Sequence, residues 1–144
     1  MDMGIQKQEF YEGAALHVLL RSGTGVHISY ESPFFRVDGR ILIHLKYSTG
    51  VRSPWGFTFT ADEQHLLYRK STELPITIGL VCGSDGVAAL PFASYARIAS
   101  QRTSALRVSC ARKHREHFEI VGPDGSLKRK VPPSDWSRLL GEAT

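Results

Sequence analysis

Two hydrophobic periodicities alternate along the chain. Over residues 6–21, QKQEFYEGAALHVLLR, apolar side chains recur three and four apart, as Phe10, Ala14, Val18 and as Tyr11, Ala15, Leu19. That spacing predicts a helix with Gly23 as its stop signal. Gly13 inside it costs roughly 1 kcal/mol relative to alanine. The next stretch, GTGVHISYESPFFRV, is rich in β-branched and aromatic residues. Strand-like runs at 31–37 and 40–48 flank Asp38-Gly39, a pair suited to a two-residue hairpin turn. Residues 55–60, WGFTFT, alternate large and small side chains and predict a third strand. ADEQHLLYRK (61–70) opens with acids and closes with bases, matching a helix dipole. PITIGLV (75–81) is continuously apolar and predicts a buried central strand, which GSDG (83–86) turns into VAALPF. FASYARIAS (92–100) fits a short helix or a loop. Residues 106–113 and 117–121 are strand-like. GPDG (122–125) turns the latter into SLKRKV, Pro132-Pro133 close it, and Ser134 is the expected cap of a last short helix. Neither a repeat nor a linker interrupts this order. The prediction is one α+β domain over 1–144, with an N-terminal helix packed on a mixed central β-sheet and short flanking helices.

Composition narrows the function classes. With 144 residues, 42% apolar and 22% charged, the chain can bury a core without a disulfide or metal staple. No apolar run approaches the roughly 18 residues of a spanning helix. The opening MDMGIQKQEF is polar, so no secretory or transit leader is expected, and a membrane partner is not expected either. Two cysteines, Cys82 and Cys110, exclude a disulfide scaffold and a four-cysteine zinc site, and the expected compartment is the cytoplasm. Cys110, His114 and His117 fall short of a four-ligand set, and the two histidines fit a polar loop better. No nucleophile elbow and no phosphate-binding glycine motif occurs, which disfavours triad hydrolysis and ATP or NAD chemistry.

The formal charge is +4, and its excess is concentrated. Between 97 and 130, Arg97, Arg102, Arg107, Arg112, Lys113, Arg115, Lys128, Arg129 and Lys130 outnumber Glu116, Glu119 and Asp124. Such a surplus suits a polyanion such as nucleic acid, or else a solvated basic face. Aromatics interleave with it. Most of them fit core positions, and Trp55, after a Ser-Pro loop, is the candidate for exposure.

The most informative stretch is ESPFFRVDGRILIHLKYS, residues 31–48. With a two-residue turn at Asp38-Gly39, Val37 faces Arg40, Phe35 faces Leu42, Pro33 faces His44 and Glu31 faces Lys46. Alternation then gathers Glu31, His44 and Lys46 on one face and puts Ile41, Ile43, Leu45 and Tyr47 with Phe34 on the other. An acid–lysine pair there is also what a plain cross-strand ion pair looks like.

At these residues the chain resembles the PD-(D/E)XK nuclease superfamily. Members begin with a helix that often bears a Glu, followed by a β-hairpin with an acid on its first strand and acid-x-Lys on its second, then a third strand. Glu12 lies in the helix, Glu31 on the first strand, His44-x-Lys46 on the second, and PWGFTFT where the third belongs. The family's Pro-Asp reads Pro33-Phe34 here, and its acid-x-Lys reads His44-x-Lys46. The resemblance covers about residues 6–60. It implies a restriction-endonuclease-like fold and metal-assisted hydrolysis of DNA. A divalent ion (Mg²⁺ or Mn²⁺) would sit among Glu31, His44 and Glu12, with Lys46, Glu31 and Glu12 as the catalytic group. DNA contacts fall to Arg36, Arg40, Arg112, Lys113, Arg115, Lys128, Arg129 and Lys130, and a homodimer is implied. The alternative is a nuclease-fold domain that has lost hydrolysis and binds nucleic acid or a protein partner, which the imidazole at position 44 favours.

Overall fold

The computed structural model describes residues 4–21 and 25–140; Gly23, the expected helix stop, lies outside them. Elements follow in the order α1 (Lys7–Leu20), β1 (Ile28–Glu31), β2 (Phe34–Val37), β3 (Ile41–Ser48), β4 (Trp55–Phe59), α2 (Ala61–Lys70), β5 (Ile76–Cys82), β6 (Gly86–Pro91), α3 (Phe92–Ile98), β7 (Leu106–Ala111), β8 (Glu119–Gly122), β9 (Gly125–Ser126) and α4 (Ser134–Ser137). The class is α+β with a mixed sheet. That sheet runs β1-β2-β3-β5-β6, with β3 and β5 parallel and the other neighbours antiparallel. A parallel pair needs a long crossover, and β4 with α2 supplies it. β5 is buried along its whole length, as a continuous apolar run requires.

Each face of the mixed sheet covers a separate hydrophobic cluster. On one face, Ile43, Leu45, Val81 and Ala89 pack against Ala15 and Leu19 of α1 and Trp136 of α4. Of the two stripes on α1, the one through Tyr11, Ala15 and Leu19 faces inward, and Phe10 is exposed. Trp136 Nε1–H donates to the Ala15 carbonyl at 3.0 Å, tying the last helix to the first. On the other face, Phe34, Leu42, Ile78 and Leu80 share one cluster with Phe57, Val108 and Ile120. Those three belong to a second sheet, β4-β7-β8-β9. Each large aliphatic side chain buried here is worth about 1.5–3 kcal/mol.

Several expectations change. WGFTFT forms β4, but β4 pairs with β7 and starts the second sheet, while β5 takes the place beside β3. Trp55 is not exposed. It is 3% accessible, and its Nε1–H donates to the Gly50 carbonyl at 2.8 Å. SLKRKV does not run as a strand. β9 ends at Ser126, and the segment returns only at Val131, which bridges Phe118. Pro133 is the N-cap of α4, so Ser134 is its first helical residue rather than its cap. FASYARI resolves as helix α3. No helix among the described residues is long and apolar enough to cross a membrane.

The hairpin register moves by one residue. Val37 pairs with Ile41 and Phe34 with His44, so the loop is Asp38-Gly39-Arg40 rather than Asp38-Gly39. Asp38 and Gly39 both take positive φ (51° and 66°), and Arg40 N–H closes the loop on the Val37 carbonyl at 2.9 Å. Asp38 also exchanges two bonds with the chain entering β1: its N–H donates to His27 O at 2.7 Å, and its Oδ1 accepts from His27 N–H at 2.9 Å. Residues 31–37 are not one strand either. Ser32-Pro33 turn the chain between β1 and β2, with Glu31 opposite Phe34. Proline has no N–H for a ladder bond, so a turn suits it better than mid-strand.

Candidate functional site

The new register re-sorts the faces. Cross-strand partners share a face, so Phe34 stands with His44 and Lys46, not opposite them. Its ring lies 5.4 Å from the His44 imidazole, centroid to centroid. Glu31 shares this face through its pairing with Phe34, but the whole width of β2 separates it from β3. Its carboxylate is taken by the Arg36 guanidinium in a two-pronged pair. Those hydrogen bonds hold the Glu31 carboxyl below the usual carboxylate range. Glu12 is on α1, which packs on the opposite face of the sheet, and there it accepts from Gln8 Nε2–H at 2.9 Å. The expected set of Glu12, Glu31, His44 and Lys46 is therefore not brought together.

A different carboxylate takes the place of Glu12 and Glu31 beside His44 and Lys46. Glu63, in the first turn of α2, receives Lys46 Nζ at 2.9 and 2.8 Å on its two oxygens and His44 Nε2 at 2.6 Å. Lys46 Nζ also donates to the Thr58 carbonyl at 2.7 Å and lies 4.8 Å above the Phe59 ring. An ammonium has three N–H donors, and these three acceptor oxygens match them. His44 Nδ1 stands 3.4 Å from the Pro33 carbonyl, so both ring nitrogens face acceptors. Glu63 additionally caps its own helix: Thr60 N–H donates to its Oε1 at 3.2 Å while its N–H donates to Thr60 Oγ1 at 3.1 Å. Burial pushes the Glu63 carboxyl up. The hydrogen bonds from His44 and Lys46 outweigh that and hold it below the ordinary range. The legible signal was T-A-D-E at 60–63, a capping box; it announces a helix start but says nothing of what the carboxylate reaches.

Among the described residues no group of three His, Cys, Asp or Glu side chains is placed to hold a metal ion. The chemistry of the donor set agrees. Glu63 and His44 spend their facing atoms on each other, and the neighbouring Phe34 has no donor atom. The residues present do not fit a divalent-ion site of the kind the resemblance implies. Cys110 is buried beside Cys82, whereas His114 and His117 are exposed, so that trio does not converge either.

The basic residues divide into two groups. Arg36 is held by Glu31, Arg112 Nη1 by Asp85 at 2.9 Å, and Lys130 Nζ by Glu116 at 3.5 Å and Glu119 at 3.1 Å. Arg40, Lys113, Arg115, Lys128 and Arg129 are exposed and make no ion pair among the described residues. Lys130 ties the segment after β9, which carries Lys128 and Arg129, to the β7–β8 loop, which carries Lys113 and Arg115. Arg40 stands apart, at the hairpin loop of the mixed sheet. Comparison with protein-family models, curated proteins and solved structures finds no match to this chain.

Proposed function

We propose that the chain is a non-hydrolytic nucleic-acid-binding domain built on a nuclease-like hairpin. The observation that carries this reading is the pair Phe34 and His44, cross-strand partners on the face of Lys46. In the resemblance those two positions bear the acids of Pro-Asp and acid-x-Lys. Here they carry a phenyl ring and an imidazole, and the lysine that would assist an attacking water is saturated by Glu63 and Thr58. Phosphodiester hydrolysis of this type needs carboxylates to hold the metal and a lysine free to act on the transition state. What remains is the electrostatic part: Lys113, Arg115, Lys128 and Arg129, exposed and uncompensated, suit a phosphate backbone.

The test measures duplex DNA binding by fluorescence anisotropy from low to moderate salt, with a cleavage assay in Mg²⁺ and in Mn²⁺ alongside. The expected result is binding that weakens steeply with salt, and no cleavage with either ion. Replacing Lys113 and Arg115 by Ala lowers the logarithmic salt slope by about 2, near 0.9 per lost phosphate contact. Metal-dependent cleavage that Lys46→Ala abolishes would restore the nuclease reading. Absent or salt-indifferent binding would remove nucleic acid as the partner.

A further inference from the structure

A cleft of about 640 Å³ opens where α3, β6 and the segment 124–131 meet, away from Lys46 and Glu63. Its walls are tied in place. Asp124 N–H donates to Ile98 O at 2.9 Å, Leu127 N–H to Ile120 O at 2.9 Å, and Val131 exchanges two 2.8 Å bonds with Phe118. Gly122 packs so tightly on α3 that a Cβ there would lie 2.3 Å from Ile98 O. The lining is apolar at Ala89, Ile98, Leu127 and Val131, and cationic at Arg97, Lys128 and Arg129. The other charged side chains of the lining are Lys130, Asp124 and Asp135. Lys130 is committed to Glu116 and Glu119, and Asp124 to Arg102 and to the Ser100 N–H at 2.6 Å. Among the described residues Arg97, Lys128, Arg129 and Asp135 make no ion pair, which leaves an uncommitted positive surplus around a preformed apolar hollow.

We propose that this cleft binds one nucleoside-phosphate unit, the phosphorylated end of a nucleic-acid strand. The inference rests on the nucleic-acid reading above and deepens it. The volume is that of a small-ligand pocket, whereas a duplex backbone presents its phosphates along a convex cylinder that does not enter a hollow. Arg97, Lys128 and Arg129 supply charge-assisted donors for the phosphate, strongest for a terminal group with its extra negative charge. Leu127, half-buried in the lining, gives aliphatic contact to a base or sugar. Asp135 accepts from a sugar hydroxyl or an exocyclic amine, a role for a carboxylate that a bare inorganic anion would leave unused.

The test uses the full chain and a single-stranded oligonucleotide in three forms: 5′-phosphorylated, 3′-phosphorylated and with both ends unphosphorylated. Anisotropy should show one phosphorylated form binding roughly tenfold tighter than the unphosphorylated one. Arg97→Ala and Lys128→Ala should each erase that preference, with thermal melts confirming that these surface variants fold. Lys113→Ala, outside the cleft lining, should weaken all three forms equally. Competition by a nucleoside monophosphate, but not by inorganic phosphate, would support the same pocket and assign a free nucleotide as an alternative source of the ligand. Equal affinity for all three forms would overturn the proposal, as would an end preference that survives Arg97→Ala. Salt-dependent duplex binding without any end preference sinks only this inference, whereas failure to bind any nucleic acid sinks the domain's proposed function as well.

Discussion

Glu63 does three things at once: it caps α2, neutralises Lys46 and holds His44. Its side chain is only 16% accessible, so removing it strands an ammonium and an imidazole with little water to replace the lost partner. Hydrogen bonds to charged groups are each worth about 1.5–3 kcal/mol. Glu63→Ala is therefore expected to lower unfolding free energy by about 2–4 kcal/mol in urea melts. Lys46→Met added to that variant should cost much less than Lys46→Met alone, because the partner is already gone. The pH dependence has a definite sign. The Glu63 carboxyl is held low in the folded chain, so its stabilisation is complete above the ordinary carboxylate range and is lost as pH falls through the lowered folded value. The stability gap between wild type and Glu63→Gln should narrow on acidification, and a gap that widens would contradict the assignment.

At the scale of elements, the hairpin loop and the helix–sheet contact are the sensitive joints. Asp38 sits at φ 51°, costly for most side chains but tolerated by Asp and Asn, and it also receives the His27 N–H. Asp38→Ala should cost about 1–2 kcal/mol in chemical denaturation, with Asp38→Asn closer to wild type. Gly79 marks the other joint: a Cβ there would stand 2.7 Å from Leu45 Cδ2 and 3.0 Å from the Trp136 ring. Since Trp136 is buried and bonded to Ala15 O, the ring has little freedom to yield. Gly79→Ala should lose about 1–3 kcal/mol in chemical denaturation. The element boundaries that patterning marked well were the long periodic ones: the 6–21 helix appears at Lys7–Leu20, and 61–70 appears at Ala61–Lys70. Patterning failed at Ser32-Pro33, where a proline inside a β-rich run signalled a turn and so split one expected strand into two.

Across the whole molecule, the two sheets share one hydrophobic cluster, and the two cysteines sit inside it. Cys82 on β5 and Cys110 on β7 are both fully buried, and the adjacent Cys110 sulfur together with burial pushes the Cys82 thiol far up. Neither thiol should react with a soluble disulfide reagent in the native state, and both should react once the chain is unfolded. Fast native labelling of one of them would mean that the sheets separate locally. Charge is organised on the same scale. Carboxylates from three different elements or loops, Glu31, Asp85 and Glu116, take up Arg36, Arg112 and Lys130, so sequence clustering overstates the cationic surface.

Local patterning determined the α+β class, the helices at 6–21 and 61–70, the buried strand at 75–81 and the basic surplus of the second half, because each depends on residues a few positions apart. It also drew His44 and Lys46 onto one face, since period-two alternation within a single strand needs no partner. Only the tertiary structure decided what those residues meet. A one-residue change in loop length turned Phe34 from the far face to theirs. The long crossover through β4 and α2 carried Glu63 from 17 positions beyond Lys46 into contact with it, and packing α1 on the opposite face took Glu12 away. Register and crossover are long-range choices, made by which faces bury the most apolar surface, and no window of local sequence contains them.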